Sequence, residues 1–373
     1  MTTGTPILDI RHLCVDYLSE SGVVHAVADV SMTLRRGEIL GLAGESGSGK
    51  STMAYAITRL LRSPAEITGG EVFYYGRPSH GAESAQSAKP VDLLRLKPSE
   101  LRAVRWSEIA IVFQSAMNAL NPTMTVGNQL LDVLATHRPD MPVPRRRERA
   151  RELFELVGIS TERLKSYPHE LSGGMRQRAI IAIALALSPE LLIMDEPTTA
   201  LDVVVQREIL TELMHLRTQL NLSIIFITHD LSLLLEIADT IAIMYAGRIV
   251  ETTSARQLHQ QPLHPYSFGM LNSFPSLHGE RRLMTGIPGS PPDLRAVPPG
   301  CAFHPRCPLA FAPCSLVVPA LLRPPAGVAS QAVACHRYAP NHAEGLAPPT
   351  KAEMEERYGA LSASPQEPGR TPI

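Results

Sequence analysis

Short apolar runs alternate with longer, helix-like stretches between Ile7 and about Gly247. The clearest runs contain no charged residue and are short enough to be single buried strands. They are Ile39–Ala43, Ile109–Phe113, Leu191–Met194 and Ser223–Thr228. Because strands alternate with helices, this pattern predicts an α/β fold in which helices cover a mainly parallel sheet.

The chain is not uniform along its length. Pro144–Leu156 is basic and amphipathic and begins a mostly helical insert, and we expect its arginines on a solvated face. Prolines are frequent beyond Pro262, which excludes long helices there and indicates a separate appendage. We therefore expect a domain at residues 1–255 with a helical subdomain at about 115–190, an appendage at 256–342, and a flexible tail at 343–373.

Charge and hydropathy exclude several classes of protein. Lysine and arginine total 35 and aspartate and glutamate total 36, so no broad field of one sign favours nucleic acid or an anionic membrane. No apolar stretch approaches the ~20 residues that cross a bilayer, and Met1–Arg11 lacks the features of a secretory signal. We expect a cytoplasmic protein that reaches membranes only through partners.

A glycine-rich motif follows the first buried run. The residues from Gly44 to Ser51 fit the phosphate-loop pattern G-x-x-x-x-G-K-S, with a helix-like stretch after them. Backbone N–H groups of such a loop bind phosphate oxygens, and the following helix adds its positive end. We expect Lys50 to contact the β and γ phosphates and Ser51 to bind magnesium. The predicted nucleotide-binding residues are Gly44, Ser46, Gly47, Gly49, Lys50, Ser51 and Thr52.

Two carboxylates end the apolar run Leu191–Met194. Parallel strands place such residues at the carboxyl edge of the sheet, where a phosphate loop also lies. We expect Asp195 to hold magnesium and Glu196 to orient or deprotonate the attacking water. The alternative for the carboxylate pair alone is an ordinary strand terminus.

A second glycine motif narrows the type of ATPase. The residues Leu171–Arg178, LSGGMRQR, resemble the LSGGQ signature of ABC ATPases, with Met175 at the last signature position. In that family two ATPase units pack head to tail, and the signature of one closes over ATP held by the other. The resemblance implies that Ser172, Gly173 and Gly174 contact nucleotide on a second ATPase subunit, more plausibly a related chain than an identical one.

Other positions follow the family order. Gln114 resembles the Q-loop residue that contacts magnesium or the attacking water and relays nucleotide state. Asp202 resembles the D-loop residue that contacts the opposite protomer, and His229 resembles the switch histidine that would bond the γ-phosphate. Tyr17 lies where the family places an aromatic side chain that stacks on adenine, although simple core packing is an equal alternative.

The appendage resembles a specific branch of this family. Its series HPYSFGMLNSFPSL, GIPGSPPDL, GCAFHPRCPLAFAPC and ACHRYAP is similar to the C-terminal extension of oligopeptide and dipeptide importer ATPases. The resemblance implies an ATP-hydrolysing subunit that acts with two membrane permeases and an extracellular solute-binding protein, at the cytoplasmic face of the membrane. Nickel, glutathione and other solutes are alternatives within the branch, and a soluble, non-transport ABC ATPase is an alternative outside it.

Four of the 5 cysteines crowd the appendage. Cys301, Cys307, Cys314 and Cys335 are separated by five, six and twenty residues, and four thiolates can ligate an iron–sulfur cluster or zinc. Paired knuckles of the structural-zinc type are absent, which favours a [4Fe–4S] cluster, and the family resemblance also implies one. Zinc, a disulfide and unligated cysteines are the alternatives.

Overall fold

The computed structural model describes residues 4–20, 22–76, 90–114, 119–199, 201–273, 286–324, 331–339 and 346–363. They form two sheets with helices packed around them, so the predicted α/β class is confirmed. No helix in these ranges is long and apolar enough to span a membrane.

The larger sheet has seven strands in the order β11-β10-β9-β3-β8-β7-β6. Its strands are β3 (Ile39–Ala43), β6 (Ile109–Val112), β7 (Leu191–Asp195), β8 (Ser223–Ile227), β9 (Thr240–Tyr245), β10 (Arg248–Ser254) and β11 (Ala332–Val333). From β9 to β6 neighbouring strands are parallel, whereas β10 and β11 are antiparallel additions. All four apolar runs predicted as strands lie in this sheet, buried on both faces as parallel strands usually are.

The smaller sheet is antiparallel, in the order β2-β1-β4-β5. It comprises β1 (Pro6–Ser19), β2 (Gly22–Arg35), β4 (Ala65–Tyr74) and β5 (Val91–Asp92). One apolar core joins its inner face to the larger sheet and includes Ile7, Leu42 and Met53. A second core on the other face of the larger sheet includes Phe154 and Phe226. The two cores fix the larger sheet between two layers, which holds its carboxyl edge in place.

The helices are α1 (Lys50–Ile57), α2 (Pro98–Val104), α3 (Val126–His137), α4 (Val143–Leu156), α5 (Gly173–Ala184), α6 (Val203–Leu220), α7 (Leu231–Ile237), α8 (Ala255–Gln260), α9 (Pro265–Asn272) and α10 (Lys351–Ala363). Helices α3, α4 and α5 pack together and form the described part of the predicted helical insert. On α4, Arg145 pairs with Glu148 and Glu152, so this part of the basic stretch is a solvated ion-paired face.

The appendage contributes a strand to the larger sheet. Its strand β11 pairs with β10, with Val333 opposite Glu251. The buried Glu251 carboxylate accepts hydrogen bonds from the backbone N–H groups of Leu263 (2.9 Å) and His264 (2.8 Å), just before α9. Through Glu251, strand β10 therefore contacts both the start of the appendage and its strand β11.

One part of the domain prediction was wrong. Residues 351–363 of the expected flexible tail form α10, in which Met354 and Tyr358 are buried. The Tyr358 hydroxyl donates to the Pro265 carbonyl at 2.8 Å, and its ring lies 5.4 Å from that of Phe268. Met354 and Tyr358 are four residues apart and therefore lie on the same face of α10. Packing of this face against α9 stabilises the helix, although the surrounding sequence is polar. Residues 343–345 and 364–373 of that tail lie outside the described ranges.

Candidate functional site

The predicted phosphate loop is the turn between β3 and α1. Gly44 and Gly49 have positive φ angles of 152° and 101°. A Cβ at Gly44 would lie 2.3 Å from the Met244 carbonyl oxygen, and one at Gly49 would lie 2.1 Å from the Ala26 oxygen. Only glycine fits these two positions, because backbone from β9 and β2 packs directly against the loop. Ser46 and Gly47 lie on its exposed crest.

Lys50 is held beneath the loop. It is buried, and its Nζ donates to the carbonyl oxygens of Gly44 and Glu45, both at 2.8 Å, and to Ser48 Oγ at 3.3 Å. Burial lowers the pKa of the Lys50 ammonium, while the charges of Glu196, Asp195 and Glu45 oppose that effect. A cation therefore lies inside the loop, where bound phosphate oxygens could replace the carbonyl partners.

Asp195 at the end of β7 faces the start of α1. Its Oδ1 accepts a hydrogen bond from Ser51 Oγ at 2.9 Å, whereas its buried Oδ2 has no hydrogen-bond partner among the described residues. Burial raises the pKa of this carboxyl group. An unpaired carboxylate oxygen next to a hydroxyl is a set of hard oxygen donors, so the residues present fit a magnesium ion.

Glu196 contacts the two other predicted catalytic residues, Gln114 and His229. Its Oε2 accepts from Gln114 Nε2 at 2.9 Å and from Thr199 Oγ1 at 3.0 Å, and its Oε1 lies 3.4 Å from His229 Nδ1. The Glu196 backbone has a φ of 47°, a left-handed conformation that is uncommon outside glycine and is found at functional sites. Thr199 was not among the residues predicted from the sequence, where its spacing of three residues from Glu196 was the one signal for it.

Tyr17 lies next to the phosphate loop. Its hydroxyl is 3.2 Å from Thr52 Oγ1 on the first turn of α1, and its side chain is partly buried. The contact places both residues beside the loop. Stacking of Tyr17 on adenine stays a prediction.

The signature residues form a separate group. Ser172 caps α5 by accepting from the Met175 N–H at 3.3 Å, and a Cβ at Gly174 would lie 2.5 Å from Val205. Asp202 caps α6 by accepting from two backbone N–H groups. Within the ranges described, Ser172, Gly173, Gly174 and Asp202 make no hydrogen bond or ion pair to the phosphate loop. Their geometry is fixed by their own helices.

The four clustered cysteines line one cavity. Cys301, Cys307, Cys314 and Cys335 all face it, and each is a free thiol. The enclosed space is about 10 Å³, roughly what one water needs. Burial raises the pKa of Cys301 to about 11 and that of Cys335 to about 12. In the described part of the chain, no three His, Cys, Asp or Glu side chains are arranged to hold a metal ion, so the predicted iron–sulfur cluster is not supported by this geometry.

Comparison with known proteins identifies the family. Residues 27–199 match the family model described as ABC transporter, and residues 250–314 match that of the oligopeptide/dipeptide transporter C-terminal region. The oligopeptide transport ATP-binding protein OppD of Escherichia coli is 44% identical over 315 residues, covering 84% of this chain and 89% of the relative. The dipeptide transport ATP-binding protein DppD of Bacillus subtilis is 42% identical over 316 residues, covering 84% and 90%.

A solved structure agrees with these matches. The dimeric ATP-binding cassette MJ0796, in a post-hydrolysis state with ADP and Pi, is 27% identical with a TM-score of 0.56. The match covers 67% of this chain and 99% of that one. Together with the joined phosphate loop, Asp195 and Glu196, these similarities show that the chain belongs to the ABC transporter ATP-binding proteins, in the branch that carries the oligopeptide/dipeptide transporter C-terminal region.

Proposed function

We propose that this chain binds and hydrolyses ATP to energise an importer of oligopeptides or dipeptides. The observation that carries the proposal is the meeting of the phosphate loop, Asp195 and Glu196 at one edge of the parallel sheet. The substrate class rests on the relatives, whose names describe oligopeptide, dipeptide and peptide import.

Each site residue has a role in this proposal. Lys50 binds the β and γ phosphates, and Ser51, Asp195 and Gln114 hold magnesium, which neutralises charge on the phosphates. Glu196 orients or deprotonates the attacking water, for which its carboxylate is already hydrogen-bonded to Gln114 and Thr199. His229 bonds the γ-phosphate. The loop residues Gly44, Ser46, Gly47, Gly49 and Thr52 complete the phosphate site, and Tyr17 stacks on adenine.

A second ATPase subunit completes each site. Ser172, Gly173, Gly174 and Asp202 contact the nucleotide or the loop of that partner, most simply a related chain. The exposed side chains of Val203 (77%) and Val204 (69%) follow Asp202 and would be covered by such a partner. The solved MJ0796 cassette is dimeric. Two permeases and an extracellular solute-binding protein complete the importer, with this chain at the cytoplasmic membrane face.

The same arrangement supports the proposed domain boundaries. The ATPase domain spans residues 1–255, with its helical subdomain at about 115–190, and the extension spans 256–342. The boundary at 255 coincides with the end of β10 and the start of α8. Because β11 returns to pair with β10, the extension is a second part of one folding unit rather than an independent domain.

The cysteine set is proposed to bind a [4Fe–4S] cluster. Four thiols that face one apolar cavity are a donor set suited to iron–sulfur or zinc, and binding would require them to move, since no three of the described side chains are arranged to hold a metal ion. Bound there, the group would link the turns at 300–315 and 335–338 and stabilise them. Protein purified without oxygen should contain about four iron and four sulfide per chain. Stoichiometric zinc without iron would contradict the cluster.

Transport is the direct test of the proposed function. The complex of this chain with its permeases and partner ATPase is placed in liposomes, and uptake of a peptide mixture is followed with the solute-binding protein present. Uptake should require ATP and should be lost with Lys50→Ala. Nickel or glutathione uptake without peptide uptake would contradict the substrate class, and ATP turnover unaffected by Lys50→Ala would contradict the site.

A further inference from the structure

An arginine of the extension pairs with a carboxylate of the phosphate loop. Arg306 is buried, and all five of its N–H donors are used. Its Nη1 and Nη2 donate to the two carboxylate oxygens of Glu45 at 2.7 and 2.9 Å, a bidentate pair. The remaining donors bond the Pro288 carbonyl at 2.7 Å, the Gly289 carbonyl at 3.3 Å and the Tyr245 hydroxyl at 3.2 Å. Such a fork is specific to arginine, because a lysine ammonium cannot reproduce its planar geometry.

Glu45 is itself part of the phosphate loop. It directly follows Gly44, and its carbonyl oxygen is one of the acceptors of Lys50 Nζ. Its backbone N–H donates to the Tyr266 hydroxyl at 2.9 Å. Tyr266 belongs to α9, so two residues of the extension hold one loop residue, at its main chain and at its carboxylate.

Charge explains why this carboxylate needs a partner. ATP brings several negative charges to the loop, and an unpaired carboxylate beside them would repel phosphate and compete for Lys50. The Glu45 side chain is 27% exposed and the Arg306 side chain is 7% exposed. Solvent therefore screens the charge of the carboxylate only in part. The bidentate pair removes that charge from the loop and directs the carboxylate towards the extension.

An aromatic cluster makes the contact stiff. The rings of Tyr245 at the end of β9, Tyr266 on α9 and Phe303 in the extension pack within 4.6 to 5.3 Å of one another. Tyr266 and Phe303 are nearly inaccessible to solvent. Because the cluster joins the ATPase sheet to the extension directly beside the loop, movement of the extension would be transmitted to Glu45.

From these contacts we infer that Arg306 and Tyr266 are positioning residues of the nucleotide site, through which the extension sets the affinity of the phosphate loop for ATP. The inference rests on the proposed function, since it assigns a role within the ATP site. It adds a dependence of that site on Arg306 and Tyr266, which lie 261 and 221 positions from Glu45 in sequence.

The test measures nucleotide affinity of the full chain with the nonhydrolysable analogue AMP-PNP and Mg²⁺. Arg306→Met should raise the dissociation constant about tenfold, the scale of an uncompensated charge near a binding site. In the assembled complex the KM for ATP should rise similarly, with kcat changed less than about twofold. Glu45→Gln combined with Arg306→Met should bring the affinity back to within about threefold of the original chain, because the unpaired carboxylate is gone.

A matched control separates positioning from general loosening of the extension. Arg337 is another buried arginine of the extension and pairs with Glu353 at 3.2 Å, away from the loop. Arg337→Met removes a similar pair and should leave AMP-PNP affinity unchanged. Equal loss of affinity in Arg337→Met and Arg306→Met, or no rescue by the double substitution, would overturn the inference.

A second variant tests the inference if the first one does not fold. If Arg306→Met does not yield folded protein, Tyr266→Phe keeps the aromatic cluster and removes only the hydroxyl that accepts from Glu45. It should weaken AMP-PNP binding about threefold, and unchanged affinity in that variant would overturn the inference. Failure of the proposed function is distinct, because then the unsubstituted chain itself would not bind AMP-PNP or Lys50→Ala would bind it equally well.

Discussion

The buried Glu251 carboxylate should make stability of the fold fall as pH rises. Burial raises the pKa of Glu251 from 4.5 to about 7, against the opposing effect of hydrogen bonds from the backbone N–H groups of His264 and Leu263. A group with a raised folded-state pKa binds its proton more tightly when folded, so its contribution is favourable below pH 4.5 and is lost towards and above pH 7. The change in pKa from 4.5 to about 7 corresponds to about 3 kcal/mol, most of which falls between pH 5 and pH 8.5.

The measurement compares the full chain with Glu251→Gln by urea unfolding at several pH values. Glutamine cannot ionise, so the difference between the two stability curves isolates the titration of Glu251 whatever the fixed effect of the substitution. The pKa of the neighbouring His264 is lowered by burial to about 3, and this residue is present in both proteins, so its contribution cancels. The original chain should lose on the order of 2–3 kcal/mol relative to Glu251→Gln between pH 5 and pH 8.5. Parallel curves would refute the reasoning.

Further predictions concern catalysis and the C-terminal helix. Glu196→Gln should retain ATP and reduce turnover by about 100-fold or more, because the group that activates water is removed, whereas Lys50→Ala should weaken ATP binding itself; binding and turnover assays on the complex separate the two. The monomeric chain should hydrolyse ATP far more slowly than the complex, because in the proposed arrangement Ser172 contacts a partner's nucleotide, and equal rates would contradict this arrangement. Tyr358→Ala should destabilise the docking of α10 by about 3–5 kcal/mol, seen as faster hydrogen exchange in that helix, with the exposed Arg357→Ala as an unaffected control.

Local patterns predicted the phosphate loop because strand, loop and helix are consecutive in sequence. The run Ile39–Ala43 and the glycines after it determine a turn that few other sequences could form. The strand ending in Asp195 and Glu196 was predictable for the same reason, and parallel pairing then placed it next to the loop. The structure brings these residues together as expected.

Distant contacts could not be predicted in this way. No periodicity connects Arg306 with Glu45, and the bidentate pair becomes visible only when the extension is folded. Similarly, among residues 351–360 of α10, whose side chains are described, only Met354 and Tyr358 are buried, too few to distinguish the helix from a polar tail without knowledge of its partner surface. Both contacts depend on surfaces formed by residues that are far apart in the sequence.

The pairing of β11 with β10 has a consequence for synthesis on the ribosome. Strand β10 is complete at Ser254, but the two residues that cover its free edge are Ala332 and Val333. During the interval in which the intervening residues are made, the N–H and C=O groups on that edge have no partner and can pair with a strand of another nascent chain. Covering of β10 therefore waits for the last part of the extension, and a chain truncated before Ala332 would leave this edge open to pairing.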